Sequence, residues 1–423
     1  MKKLFFTLSV LLCGASAIAQ KDNLERLLIE GNVFKLKEIV SANLRKMDKF
    51  DWLYYQCFID NAFGKNEKSA LETQMFLKNP KGFNDTAVAR MMEMQVYNYA
   101  NLYQYTKAAE AGDQLLQRYA KYLDEDKLKE VTDDNKCFHA LQGFAAQSVA
   151  PHGDVTVPAL KDKAGLWRIP VATKAGKDDF IFDTHANFSA VSVTVAKKMG
   201  IKLKGTSVEV ESGATGTKVK CDMGIADSIT IGDGVTVRNV VFLVMADSLM
   251  RAGDYTFNAI LGLPVIKALR EVQLAKNGTF TIPAKPTKSG IRNLCFSQLK
   301  PRVQVVTEDK DTLLLRLDTG ADATSLSSTF FSRYKSYVTK NGEKTTENTG
   351  GVGGVKKMEL YKLKSYTFKL GNKKATLSNV TVQVKAVGNE DSGALIYGAI
   401  GEDVMAQFDT TTFNFDDMYV DFR

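Results

Sequence analysis

The sequence predicts a multidomain α plus all-β chain: a helical N-terminal domain followed by two β lobes built on one plan. Three observations predict it. Up to about residue 150, apolar residues fall at helical spacing. Past Pro151 the chain turns to short alternating runs rich in Val, Ile, Thr, Phe and Gly, broken by frequent turns, as in β barrels or sandwiches. That β half also repeats itself. Asp183-Thr184-His185-Ala186 follows the apolar run Phe180-Ile181-Phe182, and Asp318-Thr319-Gly320-Ala321 follows Leu313-Leu314-Leu315-Arg316-Leu317. Each segment leads to an apolar pair closed by glycine, Ile260-Leu261-Gly262 and Ala399-Ile400-Gly401, at intervals of 79 and 83 residues. A duplication on this scale governs how the whole fold is read.

The elements follow in chain order. Lys2 and Lys3, the apolar stretch Leu4 to Leu12 and the small-x-small run Ala17-Ile18-Ala19 predict a signal peptide over 1–19 and an exported protein, periplasmic or secreted. The stretch is shorter than the roughly 20 residues a spanning helix needs, and no later segment is apolar enough to cross a membrane. Leu12 stands before Cys13 where a lipoprotein signal has a small residue. The mature length predicts about three domains: helical over 20–150, one β lobe over 155–285, a second over 291–423. Pro283 to Gly290 reads as the linker between the lobes.

In the helical part, Leu24, Leu27 and Leu28 share a face and Gly31 reads as a stop. Ala108, Ala111, Leu115 and Tyr119 fall at three- and four-residue steps. Residues 91–123, rich in Tyr, Ala and Leu, resemble tetratricopeptide-type helical hairpins, without a clean 34-residue period. The aromatic residues fit either the core of an ordinary helical domain or a surface where a partner docks.

In the β half, Val219 to Met223 and Ser228 to Ile231 read as strands and Gly232-Asp233-Gly234 as a turn. The turn returns at Gly371-Asn372, and Asn239 to Val244 has a counterpart in Asn379 to Val384.

Composition excludes some partners. The net charge of +8 falls to +6 without Lys2 and Lys3, and the lysines are interleaved with acids. No basic stripe for nucleic acid results. Of the five cysteines, Cys57, Cys137, Cys221 and Cys295 survive processing, either as disulfides or as buried thiols.

Asp-Thr-Gly-Ala at the end of an apolar strand resembles the catalytic loop of aspartic proteases of the retropepsin and pepsin type. Its companions come in the family's order: Ser325-Leu326-Ser327, the glycine-rich segment Thr349 to Gly354 at the place of the substrate-covering flap, the Gly371 turn, the Val380 strand, Gly401 and a last strand near Met418 to Phe422. The first half has the same parts: Ser189 to Ser192, the flap-like segment Glu211 to Gly216, and Ile260 to Pro264. The resemblance covers residues 165–423 and implies two fused acid-protease lobes.

It also implies roles. Asp183 and Asp318 would share one proton, because two carboxyls about 3 Å apart cannot both ionise. A water between them would attack a peptide carbonyl, with no cofactor and no metal. Thr184 and Thr319 would brace the two loops, with Gly320 and His185 as loop support. Gly351, Val352 and Gly353, and Gly213 and Ala214, would be flap residues that grip an extended peptide or protein substrate. Ala186 and Ala321 stand where many relatives carry a hydroxyl, which implies a mildly acidic optimum.

The departure is His185, where the family has glycine. It adds bulk beside the dyad, would be strained if the position needed a positive φ, and if charged would oppose proton sharing. Three readings follow: a protease active within one chain, a degenerate peptide-binding or structural protein, or a protease that pairs Asp318 between two chains.

Other chemistries find little support. His139, His152 and His185 have no metal-ligand spacing. There is no Gly-x-Ser-x-Gly, and the Gly351 segment lacks the lysine of a phosphate loop. Asn187-Phe188-Ser189 fits a glycosylation acceptor by coincidence, and Asp403 reads as a surface or capping residue.

Overall fold

The computed structural model describes residues 21–213, 215–386 and 394–423. The expected signal peptide, Cys13 and the flap residue Ala214 lie outside the described residues.

The N-terminal part is helical: 21–29, Val33–Asn43, Lys49–Ala62, Asn66–Lys78, Asp85–Asn101, Tyr105–Tyr119 and Glu125–Ala140. Helix starts are capped by side-chain oxygens that take up otherwise unpaired N–H groups: Asp48 accepts from Phe50 N, Asn84 from Ala87 N, and Asp124 from Lys127 N. Gly31 ends the first helix at φ +71°, a left-handed turn that glycine takes without a Cβ clash. Each long helix packs on its sequence neighbour. Leu24 and Leu27 are buried, as are Ala108, Ala111 and Leu115 on the face that their spacing defined. Among the described residues no helix is long and apolar enough to cross a membrane.

The rest is β-rich, and its two halves share one strand order. In the first, Val235–Met245, Ser189–Ser192, Ala259–Leu261, Lys177–Phe182, Trp167–Ala172 and Lys218–Ile231 pair in that sequence. Lys218–Ile231 pairs back onto Val235–Met245, closing a ring. In the second, Lys300–Thr307, Thr312–Leu317, Ile396–Ile400, Ser325–Leu326, Lys373–Gln383 and Gly354–Leu370 do the same, closed by Val306 opposite Lys369. The repeat reaches single residues. Asn239 and Asn379 both sit at φ 56°, and Gly232 and Gly371 turn at φ 56° and 58°.

A separate five-stranded sheet joins the halves: Val155–Pro158, Thr279–Ile282, Glu271–Ala275, Thr410–Asn414 and Tyr419–Phe422. Its central pair, Glu271–Ala275 with Thr410–Asn414, takes one strand from each half. Above it Phe182 packs edge-on to Phe280 at 5.5 Å and against Phe413 at 5.7 Å, so the first aspartate-bearing strand rests on both halves. Glu271 is fully buried and satisfied: it accepts from Asn414 Nδ2 at 2.6 Å and Thr287 N at 2.6 Å. Thr287 lies in the expected linker, which is therefore fastened to the shared sheet. The four described cysteines are buried free thiols.

Candidate active site

Strand Lys177–Phe182 ends at Asp183 and strand Thr312–Leu317 at Asp318. Each runs parallel to the strand carrying the closing signal: Phe182 opposite Leu261, Leu317 opposite Ile400. Asp183 N donates to Leu261 O at 3.1 Å, and Asp318 N to Ile400 O at 3.1 Å. Gly262 N donates to Ser189 Oγ at 3.0 Å, and Gly401 N to Thr324 Oγ1 at 3.0 Å. The closing glycines are required by space. A Cβ on Gly262 would lie 2.5 Å from the Phe188 main chain, and one on Gly401 2.6 Å from that of Ala323.

The threonines lace the two loops together. Thr184 Oγ1 donates to Leu317 O at 2.7 Å and accepts from Thr319 N at 3.1 Å. Thr319 Oγ1 donates to Phe182 O at 2.7 Å and accepts from Thr184 N at 3.0 Å. The two hydroxyls are 3.4 Å apart. Each has one hydrogen, and the shorter carbonyl bond takes it. Both side chains are fully buried.

This lacing sets the aspartates against each other's loops. A Cβ on Gly320 would lie 2.5 Å from the Asp183 carboxyl, so glycine is needed there for clearance. Asp183 Oδ1 accepts from His185 N at 2.8 Å and Ala186 N at 3.1 Å. Asp318 Oδ1 accepts from Gly320 N at 3.1 Å, whereas Ala321 N turns to the Asp318 main-chain oxygen at 3.3 Å. Burial pushes Asp183 up from the ordinary carboxylate value to about 6, outweighing the two N–H donors that favour its charged form. At mildly acidic pH this carboxyl holds its proton.

His185 is where the repeat breaks. Its φ is not positive, so the strain that a left-handed position would impose does not arise. Its ring points across the site, with Nδ1 4.0 Å from Asp318 Oδ2. On the other side Nε2 faces Arg302 Nη1 at 3.4 Å. Arg302 comes from strand Lys300–Thr307 and is 2% exposed. In register it stands between Cys295 and Arg316.

Each half carries a hairpin at the place in the sequence where a flap was expected. Strands Gly342–Gly351 and Gly354–Leu370 turn over the two residues Val352 and Gly353, with Gly353 at φ +85°. This tip rests on the first half: Gly353 N donates to Leu249 O at 3.1 Å and Lys356 Nζ to Thr215 O at 3.2 Å. The shorter hairpin of the first half pairs Val208–Glu211 with Lys218–Cys221, and Gly213 lies exposed in its turn. Helix Glu125–Ala140 packs on that strand, with Lys129 ion-paired to Glu211.

The helical region also closes against helix Leu263–Ala268, which follows the closing glycine Gly262. Tyr103 Oη and Gln147 Nε2 each donate to Pro264 O at 2.8 Å. Lys267 Nζ donates to Asn101 Oδ1 at 2.7 Å, and burial lowers this lysine to about 8. The space left there, about 20 Å³ between Tyr103, Phe138, Asn187 and Phe188, is water-sized. Glu130 bonds Lys300 at 3.0 Å and Gln298 at 3.1 Å, fixing the turn that leads to Arg302.

Sequence reasoning missed three contributors. Arg302 had no local motif, and its strand Lys300–Thr307 carries a second cation, Lys300, so its charge did not stand out. Thr324 N and Oγ1 donate to Asp403 Oδ1 at 2.9 and 2.6 Å, so of the surface and capping roles expected for Asp403 it takes the capping one, and the loop it holds, the one after Asp318, had no sequence signal. The docking of the long hairpin's tip on Leu249 had no sequence signal. Among the described residues no group of three or more His, Cys, Asp and Glu side chains is arranged to hold a metal ion.

Residues 174–265 match the aspartyl protease family, which supports a retropepsin-like aspartic protease domain in this chain. The match spans Asp183 to Pro264, the half with the histidine departure. None of the curated proteins matches the chain.

Proposed function

We infer that the chain is an exported aspartic endopeptidase in which Asp183 and Asp318 activate water, within two fused retropepsin-like barrel lobes over 155–285 and 291–423. The observation that carries this reading is the reciprocal lacing of Thr184 and Thr319, which sets the Asp183 carboxyl against Gly320 of the opposite loop. One carboxylate takes a proton from the water as its oxygen bonds to the peptide carbonyl carbon. The protonated partner gives its proton to the carbonyl oxygen. The tetrahedral intermediate then collapses: the carbon–nitrogen bond breaks, the nitrogen receives the proton taken from water, and the hydroxyl formed on the carbonyl oxygen returns its proton to the carboxylate that gave it. The hairpins would hold the peptide as an added strand.

A pair completed within one chain is favoured over two second lobes meeting between chains, because Asp318 already has its counterpart loop. The degenerate reading rests on His185 alone. The 20–150 region reads as a shield that holds the first flap strand, supported by helix Glu125–Ala140 packing on Val208–Glu211. Its helices pack on their sequence neighbours, as tetratricopeptide-type hairpins do, and the same region could dock a partner.

The test is cleavage of a diverse peptide pool by the mature chain from acid to neutral pH, beside Asp183→Asn and Asp318→Asn. Loss of cutting in both variants supports the fused dyad. Loss only in Asp318→Asn points to pairing between chains. A wild type that cuts nothing, with or without the helical region, favours the binding-protein reading.

A further inference from the structure

The departure at His185 has a counterpart elsewhere in the chain. Arginine can only donate hydrogen bonds. With Arg302 Nη1 3.4 Å from Nε2, that nitrogen must present its lone pair, and the ring's hydrogen then sits on Nδ1. Nδ1 faces Asp318 Oδ2 at 4.0 Å, too long for a hydrogen bond but close enough for the N–H dipole to act on the carboxylate. Catalytic contacts of this kind commonly shorten when substrate binds.

We propose that Arg302 and His185 are positioning residues that make the dyad unequal: Arg302 fixes His185 as the neutral Nδ1–H tautomer, and this N–H favours Asp318 as the carboxylate that takes the proton from water. Asp183, buried beneath Gly320, is then the protonated partner that gives its proton to the peptide oxygen. The acid and base roles rest on the protease reading above; the tautomer does not.

The loop chemistry points the same way. Asp318 receives the Gly320 N–H, but Ala321 N turns to the main-chain oxygen, where its counterpart Ala186 N serves the Asp183 carboxyl. The imidazole Nδ1 stands on the Asp318 side, facing Oδ2. A neutral ring also answers the objection that an imidazolium would oppose proton sharing.

Charged groups stand around the ring. Asp183 lies on its own loop and Asp318 on the opposite one. Arg302 comes from the strand behind, with its register partners Arg316 and Cys295 on the flanking strands. The arginine next to Nε2 opposes adding a proton there, because two like charges would meet at 3.4 Å in a buried setting.

Three histidines make the test tractable by NMR on histidine-labelled protein. The expected result is a neutral His185 ring with its hydrogen on Nδ1 from about pH 5 to 8, the range in which a free imidazole titrates. Arg302→Met should let the ring titrate within that window, and Arg302→Lys should restore the neutral form. An Nε2–H tautomer, or a ring charged at about pH 6 in the wild type, overturns the proposal even if Arg302→Met does not fold. In kcat/KM profiles, His185→Gly should move the acidic limb up by about one pH unit, a roughly tenfold loss at the acid end. An unchanged limb overturns the role of His185 in the dyad. An inactive wild type overturns the protease reading and with it the acid and base roles, while the tautomer is decided by the spectrum alone.

Discussion

The threonine lacing gives the sharpest stability prediction. Thr184→Val keeps the shape of the side chain and removes the hydroxyl. Two bonds go: Thr184 Oγ1 to Leu317 O at 2.7 Å and Thr319 N to Thr184 Oγ1 at 3.1 Å. Both partners are main-chain groups of fully buried residues, and an unmet buried group costs about 1–3 kcal/mol. The local cost should be about 2–6 kcal/mol, counting both groups. Thr319→Val removes the mirror pair, to Phe182 O and from Thr184 N, and should cost the same within about 1 kcal/mol. The double variant should cost less than the sum, because each single change already breaks up the shared cluster. In a chain with several structural units one global unfolding energy is poorly defined, so the assay is native-state hydrogen exchange of the two loops. Opening energies that drop by less than about 0.5 kcal/mol in either single variant, or a fully additive double variant, would refute the reasoning.

Three further outcomes follow. Asp183 holds its proton more tightly when folded, at about 6 against an ordinary 3.8, so its contribution is present at low pH and is lost as pH rises through about 6. Asp183→Asn should therefore raise stability at pH 7 by about 1–2 kcal/mol, discounted for partial exposure, and flatten the dependence between pH 4 and 6, as read by thermal melts at each pH. Gly401→Ala and Gly262→Ala drive a Cβ into main-chain atoms 2.5–2.6 Å away and should each destabilise by at least about 1–3 kcal/mol in the same melts; neutral substitutions would show that the loops relax freely. Lys129→Ala breaks a partly exposed ion pair, should cost under about 1 kcal/mol, and should speed hydrogen exchange in strand Val208–Glu211; unchanged exchange there argues against the helix holding this strand.

The elements that were legible in the sequence are those whose causes are local. Leu24, Leu27 and Gly31 announce a helix and its stop through spacing and backbone freedom. Asp183 and Asp318 stand out because an aspartate-threonine pair ends an apolar strand twice. The doubt over His185 was placed on its bulk, its φ and its charge, whereas what demands glycine at Gly320 is the opposite carboxyl, a neighbour 137 residues away in sequence. Arg302 and the Thr324–Asp403 pair were hidden for the same reason: their partners are brought by tertiary pairing, 117 and 79 residues distant. Nothing local marks Val155–Pro158 as the far edge of a sheet that ends at Tyr419–Phe422.

That shared sheet has a consequence for how the chain is made. Synthesis runs from the N-terminus, so strand Glu271–Ala275 emerges well before Thr410–Asn414, its neighbour in the centre of the sheet. Until Thr410–Asn414 leaves the ribosome, the first half carries an unprotected strand edge, the kind of surface on which chains stick to one another. Pairing over so long a stretch of chain is slow to form. A message truncated just before Thr410 would yield both aspartate loops and most of both rings, yet the product should aggregate rather than work, because strands Thr410–Asn414 and Tyr419–Phe422 cover that edge.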